Sequence, residues 1–226
     1  MTTLFIVRHG RSTANSDGVL AGRIPGVALD DAGKGQAIAA GERLAGTKAA
    51  VVVSSPLERT KATAALVSRQ FASRPTVRFD RNFTECDYGQ WSGKRIAELS
   101  KSKLWQEIQE RPSTVTFPEG EAMATMASRA TAAVRSWNQR LSAAGNKAWI
   151  LVSHGDVIKA IIADALGLHL DNFQRINVDP GSISVISYAS NRAFVLAVNT
   201  LQGDLSRYVP QRGKRPKATV GGSTGK

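Results

Sequence analysis

Short apolar runs alternate along the chain with stretches in which apolar residues recur every three or four positions. Residues 4–7, 50–53 and 149–153 are continuous, largely apolar runs of the length expected for strands that are buried on both faces. Each run is followed, directly or after a loop, by a stretch with the spacing of a helix that packs one face on a sheet. This alternation predicts a parallel sheet covered by helices.

Five helices are predicted, and some of their ends carry recognisable signals. A helix over residues 30–46 ends at Gly46, a common helix stop. The next helix is expected to use Ser55 as its N-cap and Pro56 as its first helical residue. That helix runs to about residue 71, and the other predicted helices span about residues 94–109, 123–141 and 155–166.

The C-terminal part of the chain predicts a different strand arrangement. Residues 182–188 and 193–198 flank a turn at residues 190–192 and are expected to form an antiparallel hairpin at the edge of the sheet. With a short strand at residues 77–79, the elements predict an α/β fold. Its three layers are a doubly wound, mostly parallel sheet with an antiparallel edge and helices on both faces. One domain is expected over residues 1–205.

The remaining segment, residues 206–226, is expected to be a basic disordered tail. The net charge of the chain is +12, and this segment holds six basic residues and no acidic one. No aromatic residue follows Tyr208 to stack on bases, which favours a solubilising tail over a nucleic-acid-binding or membrane-binding arm. We therefore expect no specific nucleic acid partner and no membrane partner.

Two further features limit the class of protein. Cys86 is the only cysteine, which excludes an intramolecular disulfide and disfavours a cysteine-based zinc site. No apolar run approaches the roughly 20 residues that span a bilayer, and no secretion signal opens the chain. A cytoplasmic protein is expected.

Three of the predicted strands lead into residues suited to an anion. Arg8 and His9 follow the strand predicted over residues 4–7. Arg59 comes within one helical turn after the strand at residues 50–53, and His154 and Gly155 follow the strand at residues 149–153. The carboxyl ends of parallel strands meet at one edge of a sheet, where α/β folds bind ligands. Two arginines and two histidines at such an edge predict a phosphate site.

These residue types suit phosphoryl transfer. Arg8 and Arg59 can clamp phosphate oxygens, and a neutral imidazole can attack phosphorus to form a phosphohistidine. The nearby arginines would keep the attacking imidazole neutral. On their chemistry alone, His9 and His154 are interchangeable as the nucleophile.

A general acid is also needed, because the departing alkoxide must be protonated. Glu85 lies in the loop after the strand at residues 77–79 and is the best candidate for this role. Asp87, two residues further on, is the alternative acid.

Four motifs in order resemble the histidine phosphatase superfamily, in the branch of phosphoglycerate mutases and related phosphatases. They are Arg8-His9-Gly10-Arg11-Ser12 with Asn15, Ser54-Ser55-Pro56-Leu57-Glu58-Arg59, Glu85 with Tyr88-Gly89, and Ser153-His154-Gly155. The match extends over about residues 3–200. Residues 154–159 and 173–182 also resemble an actinobacterial subgroup described as phosphomutases.

The resemblance implies a role for each matching residue. His9 would be the phosphorylated nucleophile, and Glu85 would donate a proton and later activate water. Arg8, Arg59 and His154 would bind the phosphoryl group, with His154 protonated in the transition state. The residues that would assist in binding phosphate or substrate are Ser12, Asn15, Gly22, Tyr88 and Gly155. Members of the family need no metal, so no cofactor is expected.

Three functions are compatible with these residues. The favoured one is a phosphatase that hydrolyses small phosphomonoesters through a phosphohistidine on His9, with a small phosphorylated metabolite as its substrate. The first alternative is a cofactor-dependent phosphomutase. The second is a non-catalytic anion-binding protein, which is disfavoured because no catalytic residue is missing.

The segment after the glutamate loop separates phosphatase from mutase. Phosphoglycerate mutases resemble one another in a long insertion there, with adjacent arginines and a lysine that hold the substrate carboxylate. Here residues 91–118 are a short stretch, Ile96 stands near the place of that lysine, and Arg111 has no arginine neighbour. This departure favours the phosphatase. The predicted edge hairpin leaves a homodimer or higher homo-oligomer plausible.

Overall fold

The computed structural model describes residues 1–190, 192–203, Leu205 and Val209. Six strands form a single sheet: β1 (Thr2–Arg8), β2 (Val51–Ser54), β3 (Thr76–Phe79), β4 (Ala148–Ser153), β5 (Ile183–Tyr188) and β6 (Ala193–Thr200). Their order across the sheet is β3-β2-β4-β1-β5-β6. The first four pair in parallel, and β5 and β6 form an antiparallel edge.

Helices cover both faces of this sheet. They are α1 (Thr13–Ser16), α2 (Asp31–Leu44), α3 (Glu58–Arg69), α4 (Ile96–Leu99), α5 (Lys103–Glu110), α6 (Met123–Ala143) and α7 (Gly155–Leu166). Because side chains alternate along a strand, Leu4 and Ile6 pack with α6 and α7, whereas Phe5 and Val7 pack with α2 and α3. The predicted fold class is confirmed, including the antiparallel edge.

The expected start of the second long helix is wrong. Helix α3 begins at Glu58, and its N-cap, Leu57, makes no side-chain capping bond. Ser55 Oγ accepts a long hydrogen bond from the Leu57 N–H at 3.4 Å, ahead of the helix, and lies closer, at 2.7 Å, to His154 Nε2. The Ser55 hydroxyl therefore contacts His154, the residue that follows the neighbouring strand β4, and Pro56 lies ahead of the helix.

The helix predicted over residues 94–109 is interrupted. It consists of α4 and α5, and Ser102 caps α5 by accepting a hydrogen bond from the Trp105 N–H at 3.2 Å. A short helix that the sequence did not predict, α1, follows β1, and Ser12 and Asn15 form a reciprocal capping box at its start.

Two expectations concern residues only partly covered by the structure. Asn191, in the predicted turn, lies outside the described residues, and the flanking Ala189 N–H donates to the Arg192 carbonyl oxygen at 3.0 Å. The predicted tail lies outside them except for Val209. No helix in the described part of the chain is long and apolar enough to cross a bilayer.

The sheet order brings three strand ends together. Strands β2, β4 and β1 are neighbours, and the His9 N–H donates to the Ser153 carbonyl while the Ser55 N–H donates to the Val152 carbonyl, both at 3.0 Å. A Cβ at Gly10 would lie 2.1 Å from the Gly33 carbonyl oxygen, so the chain beyond β1 can approach α2 this closely only with glycine. The motifs therefore meet at one edge of the sheet.

Candidate active site

A cavity of about 460 Å³ opens at this edge. Nine of the predicted site residues line it: Arg8, His9, Ser12, Asn15, Gly22, Arg59, Glu85, Tyr88 and Gly155. The tenth, His154, is fully buried behind them, with its ring centroid 5.3 Å from that of His9. The structure thus brings all ten together.

His9 presents an unprotonated ring nitrogen to the site. Nδ1 lies 2.7 Å from the Gly10 carbonyl oxygen, which can only accept, so Nδ1 carries the proton. Nε2 then accepts a hydrogen bond from Arg59 Nε at 3.2 Å. Burial, followed by the charges of Arg59 and Arg8, lowers the pKa of His9 well below its usual value. The imidazole is therefore neutral, with its lone pair on Nε2.

Arg59 is buried and held at both ends of its guanidinium. Nε donates to His9, and Nη2 donates to the Gly22 carbonyl oxygen at 2.8 Å. Gly22 has a φ of +51°, and a Cβ there would lie 2.7 Å from Ser92 Oγ, so glycine allows this loop to reach the arginine. Burial lowers the pKa of Arg59 and the Glu85 charge opposes this, but a guanidinium stays charged in either case.

Arg8 contributes a second guanidinium at the floor of the cavity. Nη1 donates to the Val178 carbonyl oxygen at 2.6 Å. Its Nε is buried and has no hydrogen-bond partner among the described residues. A buried charged donor that lacks a protein acceptor is costly unless a ligand accepts from it, and a phosphate oxygen is a suitable acceptor.

His154 lies behind His9 and is fixed by Ser55. Its Nε2 is 2.7 Å from Ser55 Oγ, and its buried Nδ1 has no partner among the described residues. Burial and the charge of Arg59 lower the pKa of His154 well below its usual value. The ring is neutral in this arrangement, and one of its nitrogens is left for a further hydrogen bond.

Glu85 is a buried carboxyl group on the cavity wall. One of its oxygens accepts a hydrogen bond from the Cys86 N–H at 3.0 Å. Burial, and next the negative charge of Asp156, raise the pKa of Glu85 to about 7, against the opposing effect of Arg59. A carboxyl group with this pKa holds a proton for a substantial fraction of the time at neutral pH. Asp87, the alternative acid, does not line the cavity, and its Oδ2 lies 3.4 Å from Arg23 Nη1.

The smaller predicted binding residues are ordered by local hydrogen bonds. Asn15 Oδ1 accepts from the Ser12 N–H and Oγ, which orients the Asn15 amide group. The Tyr88 hydroxyl donates to Asp156 Oδ2 at 2.8 Å. Gly155 is the first residue of α7, so its N–H is among those that a helix start leaves without an intrahelical acceptor. Within the described residues, no group of three or more His, Cys, Asp or Glu is placed to hold a metal ion.

Sequence reasoning missed a cluster that holds the Glu85 loop, formed by Arg23, Glu121 and Arg129. The Glu85 carbonyl oxygen accepts from Arg23 Nε at 2.8 Å and from Arg129 Nη2 at 3.3 Å. Glu121 accepts from both arginines, at 2.9 Å from Arg23 and 2.7 Å from Arg129 Nε. Arg23 precedes Glu121 by 98 residues in the chain, and no local motif marks the cluster.

The chain is similar to known proteins along most of its length. It is 30% identical to phosphoserine phosphatase 1 of Hydrogenobacter thermophilus, over 88% of this chain and 92% of that protein. It is 27% identical to a protein named "probable phosphoglycerate mutase GpmB" of Salmonella arizonae, over 85% of this chain and 87% of that protein.

The fold is also found among solved structures. A mycobacterial glucosyl-3-phosphoglycerate phosphatase, solved in complexes with VO3, matches with a TM-score of 0.77 and 25% identity, covering 88% of this chain and 99% of that one. The family model of the histidine phosphatase superfamily, branch 1, matches residues 4–201. The four motifs, the sheet order and this match agree, and the chain belongs to the histidine phosphatase superfamily.

Proposed function

We propose that this protein hydrolyses small phosphomonoesters through a phosphohistidine on His9. The observation that carries the proposal is the state of the His9 ring. Its Nδ1 proton is held by the Gly10 carbonyl, and its Nε2 lone pair lies next to the Arg59 guanidinium at the floor of a cavity. A neutral nucleophile placed beside a phosphate-binding cation is what attack on a phosphoryl group requires.

In the first step, His9 Nε2 forms a bond to phosphorus as the bond from phosphorus to the ester oxygen breaks. Arg8 and Arg59 neutralise the charge on the equatorial oxygens. Glu85 gives its proton to the departing oxygen, so the alcohol leaves neutral. The incoming phosphoryl charge raises the proton affinity of His154, which takes up a proton from solvent, donates a hydrogen bond to a phosphoryl oxygen and returns that proton to solvent when phosphate leaves.

In the second step, the Glu85 carboxylate takes a proton from water as the water oxygen attacks phosphorus. The bond from phosphorus to His9 Nε2 breaks, and inorganic phosphate leaves. The acid of the first step is thus the base of the second, and the site returns to its starting protonation state.

Water is favoured over a second hydroxyl as the acceptor because of the outer part of the cavity. Ile96 and Trp105, from the short segment after the glutamate loop, line it. Among the described lining residues beyond Arg8 and Arg59, Lys159 is the one cation. A sugar-acid mutase must bind the substrate carboxylate in both directions of transfer. The residues of this outer part provide few cationic groups for such a carboxylate. The phosphomutase remains the alternative function.

The proposal is tested by trapping the intermediate. After a rapid quench with a labelled phosphomonoester, we expect acid-labile, alkali-stable phosphate on His9, and His9→Ala should lower kcat/KM by at least about 10³-fold. His169→Ala is the matched control, because His169 is exposed, pairs with Asp171 and does not line the cavity. It should retain full turnover.

Other outcomes would contradict specific parts of the proposal. Label on His154 would reverse the roles of the two histidines, and full activity of His9→Ala would exclude the phosphohistidine. Activation by 2,3-bisphosphoglycerate with transfer between hydroxyl groups, in place of phosphate release, would establish the phosphomutase.

The remaining features of the biochemical context are predictions. A small phosphorylated metabolite is the expected partner, and we infer a cytoplasmic location. The antiparallel edge formed by β5 and β6 leaves a homodimer or higher homo-oligomer plausible, and the molar mass in solution tests this.

A further inference from the structure

The outer part of the cavity, beyond the arginine floor, has two unlike walls. One wall is apolar and half aromatic, and its residues are Leu20, Trp91, Ile96, Trp105, Ile108 and Phe117. The other is polar and comes from the start of α7 and the stretch that follows it. Its residues are Asp156, Lys159, Gln174, Asn177 and Asp179.

The aromatic side chains of the apolar wall pack against one another. Trp91 and Trp105 stack with their ring centroids 6.2 Å apart and their planes 18° apart, and Phe117 meets Trp91 edge-on at 5.5 Å. Ile96 extends this wall and is 39% exposed. An apolar or flat part of a ligand that covers this surface stabilises the complex. A charged group placed there would find no hydrogen-bond or ion-pair partner.

The polar wall offers hydrogen bonds without an unpaired positive charge. Lys159 Nζ donates to Gln174 Oε1 at 2.9 Å and lies 4.0 Å from Asp156 Oδ1. The carboxylates of Asp156 and Asp179 outnumber this single ammonium group. Both floor arginines are committed to the phosphoryl group, so a second acidic group on the substrate would meet a wall with a formal charge of −1.

From these two walls we infer the class of alcohol that the phosphate is attached to: it has an apolar or aromatic face and a hydroxyl-bearing face, and it carries no carboxylate or second phosphate. The inference rests on the proposed phosphatase function. It also separates this chain from two compounds named for its relatives, phosphoserine and glucosyl-3-phosphoglycerate, because each of them carries a carboxylate. The apolar face would lie on Trp105 and Ile96, and the hydroxyls would bond to Gln174 and Asn177.

Two matched pairs of esters test this inference on the purified full chain. Glycerol 1-phosphate and 3-phosphoglycerate differ chiefly in a hydroxymethyl group against a carboxylate, and 2-phenylethyl phosphate and ethyl phosphate differ in a phenyl group. We expect kcat/KM to be at least about 10-fold higher for the first member of each pair.

A substitution on the apolar wall then links the preference to this surface. Ile96→Lys places a cation on the wall, and we expect it to reduce the preference for glycerol 1-phosphate over 3-phosphoglycerate by about 5-fold or more. Leu166→Lys is the matched control, since Leu166 is 49% exposed on a helix and does not line the cavity. It should leave that ratio unchanged. Both sites are exposed, so folding tolerates the change.

The outcomes separate this inference from the function on which it rests. No turnover of any of the four esters would defeat the phosphatase proposal, and this inference with it. Turnover in which 3-phosphoglycerate equals or exceeds glycerol 1-phosphate, or ethyl phosphate equals 2-phenylethyl phosphate, would overturn the inference and leave the phosphatase standing. Equal effects of Ile96→Lys and Leu166→Lys would also overturn it, because the preference would not come from this wall.

Discussion

At the scale of single residues, Glu85 shows how opposing effects set a reactive group. Burial and the nearby carboxylate of Asp156 favour its protonated form, while Arg59, Arg8 and the Cys86 N–H favour the ionised form. Burial dominates, and the pKa of about 7 suits a group that first donates and then accepts a proton. The two histidines are shifted the opposite way, because the same burial disfavours their charged forms.

The pH dependence of turnover follows from these directions. As the proposed proton donor, Glu85 must be protonated when the ester bond breaks, so kcat/KM should fall as the pH rises above about 7. The pKa of His9 lies well below its usual value of 6.5, so its titration adds no second limb to the pH profile of kcat/KM near neutrality. Glu85→Gln should remove the alkaline limb and lower kcat/KM by about 10²–10⁴-fold for an alkyl phosphate.

The control for this prediction is the leaving group. An aryl phosphate such as 4-nitrophenyl phosphate needs little protonation as it departs, so Glu85→Gln should cost it much less in kcat/KM. An equal loss for alkyl and aryl esters would show that Glu85 is not the proton donor.

The sequence predicted the residues that meet at the cavity better than those that support them. His9, Arg8, Arg59 and Glu85 could be placed there because each stands in a motif at a strand end or in the following loop. Ser55 was mistaken for a helix cap, since a serine before a proline has that local pattern whether or not a distant histidine takes its hydroxyl. Local pattern holds no information on partners that lie about a hundred residues away.

At the scale of elements, α6 reaches the site through Arg129. This arginine binds Glu121 and the carbonyl oxygens of Asn82 and Glu85, so it ties the start of α6 to the loop that carries the proposed acid. Buried or half-buried arginine networks of this kind fix a loop through several hydrogen bonds at once. We therefore consider Arg129 a positioning residue for Glu85.

Replacing Arg129 by methionine should loosen the Glu85 loop and expose its carboxyl group. The pKa of Glu85 should then fall toward its usual value, which moves the alkaline limb of kcat/KM to lower pH and reduces turnover about 10-fold at pH 7. Arg135→Met on the same helix is the control, because Arg135 is exposed and pairs only with Asp164 among the described residues. A lower melting temperature with an unmoved pH limb would refute a positioning role.

Long, strongly patterned elements were predictable at this scale and short ones were not. Helices α6 and α7 follow their apolar spacing closely, because each buries one full face on the sheet. The segment with α4 and α5 breaks at Ser100–Ser102, where serine side chains compete for backbone hydrogen bonds. That break shapes the cavity wall, so the part of the chain that we propose governs substrate choice is the part that sequence pattern describes least well.

At the scale of the whole molecule, the strand order converts scattered motifs into a site. Alternating strands and helices predicted a parallel sheet, but not that β4 would lie between β2 and β1. That order sets His9 and His154 on adjacent strand ends, with Arg59 over the next one. Strands β1, β2 and β4 are buried on both faces, so the edge at their carboxyl ends is held rigidly and can keep costly buried polar groups in place.

Keeping a buried acid in the site should cost the whole molecule stability, and this cost should grow as the pH rises. The pKa of Glu85 is higher in the folded chain, about 7, than in an unfolded one, near 4.5. Between these values the unfolded chain has lost this proton and the folded chain retains it, so the free energy of unfolding falls as the pH rises through this window. Above about pH 7 the full penalty, about 3 kcal/mol, is present.

Glu85→Gln, which cannot ionise, should therefore raise the melting temperature more at pH 8 than at pH 5, by several degrees for a domain of this size. Glu107→Gln is the matched control, because Glu107 is exposed on α5 and should change the two melting temperatures by equal, small amounts. Differential scanning calorimetry at the two pH values measures both variants against the parent chain. If Glu85→Gln gains no more at pH 8 than at pH 5, the carboxyl group is not held protonated by burial, and the proton donor must be sought elsewhere in the cavity.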